Sequence, residues 1–312
     1  MDVINQQSGD NWTLYNGDCI EVASKLPPES IHYTIFSPPF SSLFTYSNSP
    51  RDLGNCKDDE DFYTHFKFLV KELFRLTKKG RLVSFHCMNI PAMKERDGFI
   101  GIKDFRGDLI RLFQSEGFIF HSEVLIWKDP LIEATRTKAL GLMHKQLCKD
   151  SSMSRQGLPD YVITMRKPGE NEGLISHKEG LAEYYGEDKV KNGTFSHEVW
   201  RKYASPVWMD IRQTHTLNFR EARNEKDERH LCPLQLDVID RCLTLWSNPG
   251  DVVLSPFAGI GSEGYGAIKQ GRKFVGIELK ESYYNVAVKN LTEVATEDKQ
   301  TSLFASAGEV RA

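Results

Sequence analysis

Apolar residues recur along the chain in two patterns, short continuous runs and runs at helical spacing. The run "IHYTIF" predicts a buried strand. It ends at Phe36-Ser37-Pro38-Pro39-Phe40, because proline donates no ladder hydrogen bond and restricts the residue before it. A helix is predicted downstream, with acids at its start and two lysines before Gly80 at its end. Its apolar face is formed by Phe62, Phe66, Leu69, Leu73 and Leu76.

Strands and helices then alternate over most of the chain. The further predicted strands are "RLVSFHCM", "FIFHSEVLIW", "DYVITMR", "GDVVLSPF" and "KFVGIEL". The further predicted helices are "FRGDLIRLFQSEG", "PLQLDVIDRCLTLW", "GSEGYGAIKQG" and "ESYYNVAVKNLTEVA". This alternation predicts an α/β sheet with helices on both faces. The pattern is irregular between about Asp129 and His230, and the last residues predict a flexible tail.

Composition narrows the class of protein only slightly. The net charge of −3 argues against an evenly basic surface but permits a local basic groove. Six scattered cysteines without a CxxC pair predict reduced thiols and no metal site. No apolar run approaches the roughly 18 residues of a membrane span. The polar "MDVINQQSGDNW" is unlike a signal peptide. We therefore expect a cytoplasmic protein without a membrane partner.

A glycine loop carries the first functional signal. "FAGIGSEGYG" places Gly259, Gly261 and Gly264 between a predicted strand and a predicted helix, and Glu278 ends the next strand. Such glycines let the backbone approach a nucleoside, and the acid can bind ribose hydroxyls. The pattern alone leaves open a tight turn, an NAD site or an S-adenosylmethionine site.

The glycine loop lies too near the C-terminal end to be followed by a second half of a dinucleotide fold, since 34 residues follow Glu278. The rest of the sheet must come from the N-terminal half. "IHYTIF" and "KFVGIEL" then lie in one sheet, and their carboxyl ends face the same crevice. This places Ser37-Pro38-Pro39-Phe40 beside the nucleoside site.

These blocks resemble the S-adenosylmethionine-dependent DNA amino-methyltransferases, whose catalytic signature is [DNS]-PP-[YFW] and whose cofactor signature is FxGxG. SPPF before FAGIG resembles the circularly permuted beta group of that family. The resemblance implies a Rossmann-like methyltransferase sheet, circularly permuted, with an inserted target-recognition region. The implied parts are a catalytic half (1–129), a target-recognition region (130–229), a cofactor-binding half (230–297) and a flexible tail (298–312).

The resemblance also implies a role for each matching residue. Ser37 and the Pro38 carbonyl would hold the amino group of a flipped base on a corner stiffened by Pro39, and Phe40 would stack on the base. The residues implied in cofactor binding are Asp18, Pro233, Gln235, Ser255, Phe257, Gly259, Gly261 and Glu278. Ser255 departs from the family's usual aspartate, so a carboxylate near the methionine end of the cofactor is missing.

Ser37 favours N4 of cytosine as the target, with N6 of adenine as the alternative. Serine here resembles the N4-cytosine enzymes, and a hydroxyl can both donate to cytosine N3 and accept from its amino group. The chain contains no Pro-Cys dipeptide, which methylation at cytosine carbon 5 requires. An NAD-dependent oxidoreductase and an inactive DNA-binding protein remain the more distant alternatives.

The middle region is the predicted reader of double-stranded DNA. Between Thr135 and Lys167 lie seven basic and two acidic residues, a balance suited to tracking phosphates. DNA contacts are expected from Arg136, Lys138, Lys145 and Arg155. The resemblance also raises a homodimer and a cognate restriction nuclease as partners, in a bacterial or phage-infected cell.

Overall fold

A nine-stranded sheet forms the centre of the part of the chain that the computed structural model describes, which is residues 3–40, 53, 56, 58–92, 94–178, 180–181, 190–218 and 233–309. The strands are β1 (Asn5–Ser8), β2 (Trp12–Asn16), β3 (Ile31–Phe36), β4 (Thr77–Met88), β5 (Ile90–Ala92), β6 (Gly101–Lys103), β7 (Ile119–Ile126), β8 (Asp160–Arg166), β9 (Val207–Trp208), β10 (Val252–Ser255) and β11 (Lys273–Glu278). The order in the sheet is β1-β2-β11-β10-β3-β4-β8-β7-β9, and β5 pairs with β6 separately.

Helices cover both faces of this sheet, as predicted. They are α1 (Cys19–Lys25), α2 (Asp59–Leu76), α3 (Lys94–Asp97), α4 (Phe105–Ser115), α5 (Pro130–Thr137), α6 (His144–Lys149), α7 (Val190–Ala204), α8 (Leu236–Trp246), α9 (Ser262–Lys269) and α10 (Glu281–Glu309). One apolar cluster joins the sheet to α1, α2 and α4, and the other joins it to α8, α9 and α10. Side chains alternate between the clusters along a strand, as Val253 and Leu254 do on β10.

The strands nearest the chain's end fill the middle of the sheet. β10 pairs in parallel with β3 on one side and with β11 on the other, and β11 pairs in parallel with β2. The neighbouring β3 and β4 are also parallel. The carboxyl ends of β2, β11, β10, β3 and β4 therefore meet at one edge, which is the permuted arrangement that the motif order predicts.

A buried ion pair fastens the opposite edge of this parallel group. The guanidinium of Arg81 hydrogen-bonds the Asp251 carboxylate and donates to the carbonyls of His32 and Gly173. Nδ1 of His32 accepts from the backbone N–H of Val252 at 3.1 Å. Burial lowers the pKa of His32, which keeps the ring neutral. These contacts join β3, β4 and the start of β10.

The structure corrects the predicted C-terminal ends of two helices, α2 and α10. α2 stops at Leu76, and Thr77 turns to extended backbone while its hydroxyl donates to the Leu73 carbonyl at 2.6 Å. The two lysines before Gly80 thus lie in β4 and not in the last turn of the helix. At the other end of the chain, α10 continues to Glu309, because "ATEDKQTSLFASA" contains no glycine or proline that would stop it. The predicted flexible tail is therefore helical up to that residue.

The middle region is not separate from the sheet. β8, which the sequence predicts, pairs antiparallel with both β4 and β7, and β9 adds to the far side of β7. Residues 160–166 and 207–208 thus belong to the central sheet, inside the region that was predicted as an insertion. In the described ranges, no helix combines the length and the hydropathy that a bilayer crossing requires.

Candidate active site

One cleft of about 1490 Å³ opens at the carboxyl ends of the parallel strands. The predicted catalytic corner lines it directly after β3, with Ser37, Pro38, Pro39 and Phe40. Six predicted cofactor residues line the same cleft: Asp18, Pro233, Gln235, Phe257, Gly259 and Glu278. Two motifs that lie more than two hundred residues apart in the sequence therefore share one cavity, as their strand order predicts.

The two glycines of the loop have different surroundings. Gly259 has a φ of +52°, and a Cβ on it would meet nothing within 4 Å. Because Gly259 lines the cleft, that open space is room for a ligand against the backbone. Gly261 has a φ of +88°, and a Cβ there would come within 3.2 Å of Ala287 on α10. The structure thus gives Gly261 a packing role, and its contact with the cofactor stays a prediction.

Two carboxylates fix the backbone around the glycine loop. Glu278 accepts from the N–H of Gly259 at 2.8 Å and from that of Lys280 at 2.9 Å. Asp18 caps α1 through one oxygen, which accepts from Ile20 and Glu21. Asp18 is therefore the N-cap of α1, and it also lines the cleft.

Unsatisfied polar atoms point to a polar ligand in this part of the cleft. The Oε1 atom of Gln235 and the Oγ atom of Ser262 are buried without hydrogen-bond partners, and both residues line the cleft. Ser255 is fully buried at the end of β10, its Oγ is likewise unpaired, and it does not reach the described lining. Buried polar atoms normally find partners. The open Gly259, the fixed Glu278 and these orphaned atoms fit a nucleoside with a polar tail.

A buried carboxyl that the sequence motifs did not single out adjoins the loop. Glu263 lies in the first turn of α9, is 4% exposed and lines the cleft. Burial, with a smaller contribution from Glu278, raises the pKa of Glu263 from 4.5 to about 8. In the sequence Glu263 lies between Gly261 and Gly264, and nothing there predicts its burial.

Behind Ser37 lies a chain of polar side chains that sequence reasoning also missed. The Ser37 hydroxyl is 3.3 Å from Nδ1 of His86, which sits near the end of β4. Nε2 of His86 lies 3.3 Å from the Asp160 carboxylate at the start of β8, close enough to interact but not aligned as a hydrogen bond. Lys128 donates to the other oxygen of Asp160 at 2.7 Å.

Asp160 carries the negative charge in this row of polar side chains, although it is buried. Burial acts to raise the pKa of Asp160, but the contacts with His86 and Lys128 outweigh it and hold the pKa below its usual range. His86, Lys128 and Asp160 all line the cleft. They come from three separate strand ends, so no local motif could have predicted their meeting.

Aromatic rings brace both motifs. Phe40 lines the cleft and lies 6.0 Å, centroid to centroid, from Phe105 of α4. Phe257 lies between Phe36 at 5.8 Å and Phe66 at 6.2 Å. Phe40 and Phe257 are each half-buried, with one part in the core and another toward the cleft. Phe40 therefore packs against the core and also reaches the cleft, where it is predicted to stack on a base.

The predicted basic cluster is divided by the structure. Arg136, Lys138 and Arg155 line the cleft, while Lys145 is exposed on α6 and does not reach the described lining. Lys167 is buried at the opposite end of β8, where it donates to the Thr77 carbonyl at 2.7 Å. A count of charges along the sequence therefore overstates the basic surface at the cleft, because Arg166 and Lys167 lie at the opposite end of β8.

Comparisons with known proteins identify the family of the chain. A family model described as DNA methylase matches residues 31–289. The chain is similar to the type II methyltransferase M.ScaI of Streptomyces caespitosus, at 35% identity over 89% of this chain and 80% of that protein. It is also similar to the DNA adenine methyltransferase YhdJ of Escherichia coli K12, at 25% identity over 89% of this chain and 82% of YhdJ.

Solved structures share the fold. A Thermus thermophilus protein, TTHA0409, described as a DNA modification methylase and solved with S-adenosyl-L-methionine, has a TM-score of 0.62 at 22% identity, covering 90% of this chain and 93% of that one. The cytosine-N4-specific PvuII DNA methyltransferase has a TM-score of 0.61 at 16% identity, covering 93% of each chain. Because the family model spans most of the sequence and M.ScaI is well above 30% identical, the chain belongs to the DNA methylase family of N6- and N4-amino-methyltransferases.

Proposed function

We propose that the protein transfers a methyl group to N4 of cytosine in double-stranded DNA. Family membership makes it a DNA amino-methyltransferase that uses S-adenosylmethionine. The observation that carries the residue assignments is that the Ser37 corner and the Gly259 loop open into one cleft. No step of the transfer needs a covalent link to the protein.

The corner after β3 would activate the amino group of the base. An exocyclic amino nitrogen is a weak nucleophile because its lone pair is delocalised into the ring. The bound cofactor supplies an electrophilic methyl group on a sulfonium. Ser37 Oγ and the Pro38 carbonyl would accept the two amino hydrogens, which favours a pyramidal nitrogen with its lone pair directed at that methyl. Phe40 would stack on the base, a contact worth roughly 1–3 kcal/mol.

The loop after β10 would seat the cofactor. Gly259 leaves room against the backbone, Glu278 is held where its oxygens can also accept from ribose hydroxyls, and Gln235 offers an unpaired side-chain oxygen. Asp18, Pro233 and Phe257 would complete the walls.

The rim of the cleft would bind the DNA backbone. Arg136, Lys138 and Arg155 line the cleft, and their charges suit phosphates. A base within a duplex cannot reach Ser37 inside the cleft, so the target base must flip out of the helix. Target recognition by 130–229, a homodimer and a cognate nuclease stay predictions.

N6 of adenine is the second candidate target, favoured by the similarity to YhdJ. Serine at position 37, which resembles the N4-cytosine enzymes, favours cytosine. The protein is incubated with labelled S-adenosylmethionine and unmethylated DNA, and the DNA is digested to nucleosides for mass spectrometry. N4-methylcytosine supports the proposal, N6-methyladenine moves it to the second candidate, and no methylated nucleoside on any DNA refutes both.

The role of the corner is tested by Ser37→Ala and Phe40→Ala. We expect methyl transfer to be strongly reduced while S-adenosylmethionine binding, measured by calorimetry, is nearly unchanged. An equal loss of both would mean that the corner only supports the fold of the cleft.

A further inference from the structure

We propose that His86, oriented by Asp160 and Lys128, receives the proton that the methylated amino group loses through Ser37. This inference rests on the proposed role of Ser37. It assigns His86 a positioning and proton-accepting role that neither sequence signature contains.

The tautomer of His86 follows from its surroundings. Asp160 is held as a carboxylate, and it lies 3.3 Å from Nε2 of His86, so the ring hydrogen is favoured at Nε2. Nδ1 then carries a lone pair, and the hydroxyl of Ser37 is 3.3 Å away. The Ser37 hydroxyl therefore donates to His86 and turns its own lone pairs toward the cleft. Long contacts of this kind commonly tighten once substrate is bound.

This arrangement gives Ser37 a defined function toward the base. Its hydroxyl proton is occupied by His86, so Ser37 acts as an acceptor for an amino hydrogen. It is then not free to donate to cytosine N3, the contact that made serine favourable for cytosine. The preference for cytosine then rests on the resemblance of Ser37 to the serine of the N4-cytosine enzymes and not on a contact with N3.

The proton movements balance in one sequence. A bond forms between the amino nitrogen and the methyl carbon while the methyl–sulfur bond breaks, leaving S-adenosylhomocysteine and a cationic methylated amino group. One proton leaves that nitrogen for Oγ of Ser37, as the hydroxyl proton of Ser37 passes to Nδ1 of His86. The imidazolium is stabilised by the Asp160 carboxylate and releases its proton to solvent after the product leaves.

The surrounding charges suit this cycle. Asp160 is balanced by Lys128 at 2.7 Å, and Lys128 also lies 3.9 Å from Glu133 of α5. Lys128, which follows β7, and Glu133, on α5, are thus the charged residues beside the chain of polar side chains formed by Ser37, His86 and Asp160. Lys128 keeps the carboxylate ionised, and the carboxylate keeps the ring oriented, so neither needs to touch the base.

The test uses His86→Ala with added imidazole. Because His86 lines the cleft, its removal leaves a ring-sized space that free imidazole can enter. We expect kcat to fall by about 10²-fold, the usual contribution of a positioned acid or base, and S-adenosylmethionine affinity to stay within about twofold. Imidazole should restore much of the activity of His86→Ala but none of that of Ser37→Ala.

A matched control is His121→Ala. His121 lies on β7, and its Nδ1 is 2.9 Å from the hydroxyl of Ser122, so this pair repeats the histidine–serine contact on an exposed surface. His121→Ala should retain wild-type kcat. His86→Asn, which keeps a polar group but cannot take up the proton, should lose as much kcat as His86→Ala.

The outcomes separate this inference from the proposed function. If the wild type methylates DNA but His86→Ala transfers as fast as His121→Ala, the proton role is wrong and the methyltransferase assignment stands. Loss of activity without rescue by imidazole, in a variant that binds cofactor normally, also overturns it. If the wild type methylates no DNA, the proposed function itself fails.

Discussion

Glu263 allows a prediction about stability whose size follows from its burial. In the folded protein its pKa is raised to about 8, whereas in the unfolded chain it returns to 4.5. The folded state therefore holds a proton that the unfolded state has lost, and stability falls as pH rises from 4.5 to 8. The cost is about 1.4 kcal/mol for each pH unit in this interval, or about 3 kcal/mol by pH 7.

Replacing Glu263 with glutamine should remove this cost. Glutamine has nearly the same shape and does not ionise, so Glu263→Gln should be more stable than the wild type by about 3 kcal/mol at pH 7. The advantage should shrink to near zero at pH 4.5 and level off above pH 8. The assay is urea unfolding of the cofactor-free protein at several pH values between about 5 and 8.

The matched control is Glu281→Gln. Glu281 also lies in the first turn of a helix, α10, but its side chain is exposed. This variant should unfold like the wild type at every pH. If Glu263→Gln and the wild type show the same slope of stability against pH, Glu263 is not a buried neutral acid and the reasoning is refuted.

The remaining predictions concern the loop, the ion pair and the rim. Gly259→Ala should weaken S-adenosylmethionine binding and change the melting temperature little, whereas Gly261→Ala should mainly lower the melting temperature, because its Cβ meets Ala287. Calorimetry measures the binding and thermal melts measure the stability. The same losses in both variants would contradict this prediction. Asp251→Ala should destabilise the protein by about 3–5 kcal/mol, since it leaves the Arg81 guanidinium buried without its charge partner. Urea unfolding measures this loss. A loss below about 1 kcal/mol would show that water reaches the Arg81 guanidinium. Lys138→Ala and Arg155→Ala should each weaken DNA binding and lower the slope of log K against log salt by about 1, while Lys71→Ala, on the exposed side of α2, should leave the slope unchanged.

The sheet and the placement of both motifs at one of its edges were predictable because their signals are periodic or local. Two prolines end β3, and glycines follow β10, so both motifs identify strand ends without any knowledge of tertiary contacts. The sequence also predicted that β3 and β11 lie in one sheet, and the structure joins them through β10, which pairs with both. Each of these inferences needed only residues close together in sequence and the rule for ligand sites in α/β sheets.

Contacts made through the tertiary fold were not predictable in this way. His86 and Asp160 occur in ordinary strand sequences, and only the antiparallel pairing of β4 with β8 brings them together. The burial of Lys167 depends on the same pairing, so its charge was misassigned to the DNA-facing surface. The motif assigns Gly261 to the ligand and does not reveal that α10 also packs against it.

The position of β10 between β3 and β11 has a consequence for synthesis of the chain. Val252 hydrogen-bonds His32 across 220 residues, so the sheet stays open in its middle until β10 and β11 have left the ribosome. Until then β2 and β3 present bare edges, which are sites for mispairing. A chain that ends before α8 would lack both β10 and β11, so the central sheet can close only after the segment from α8 onward has been made.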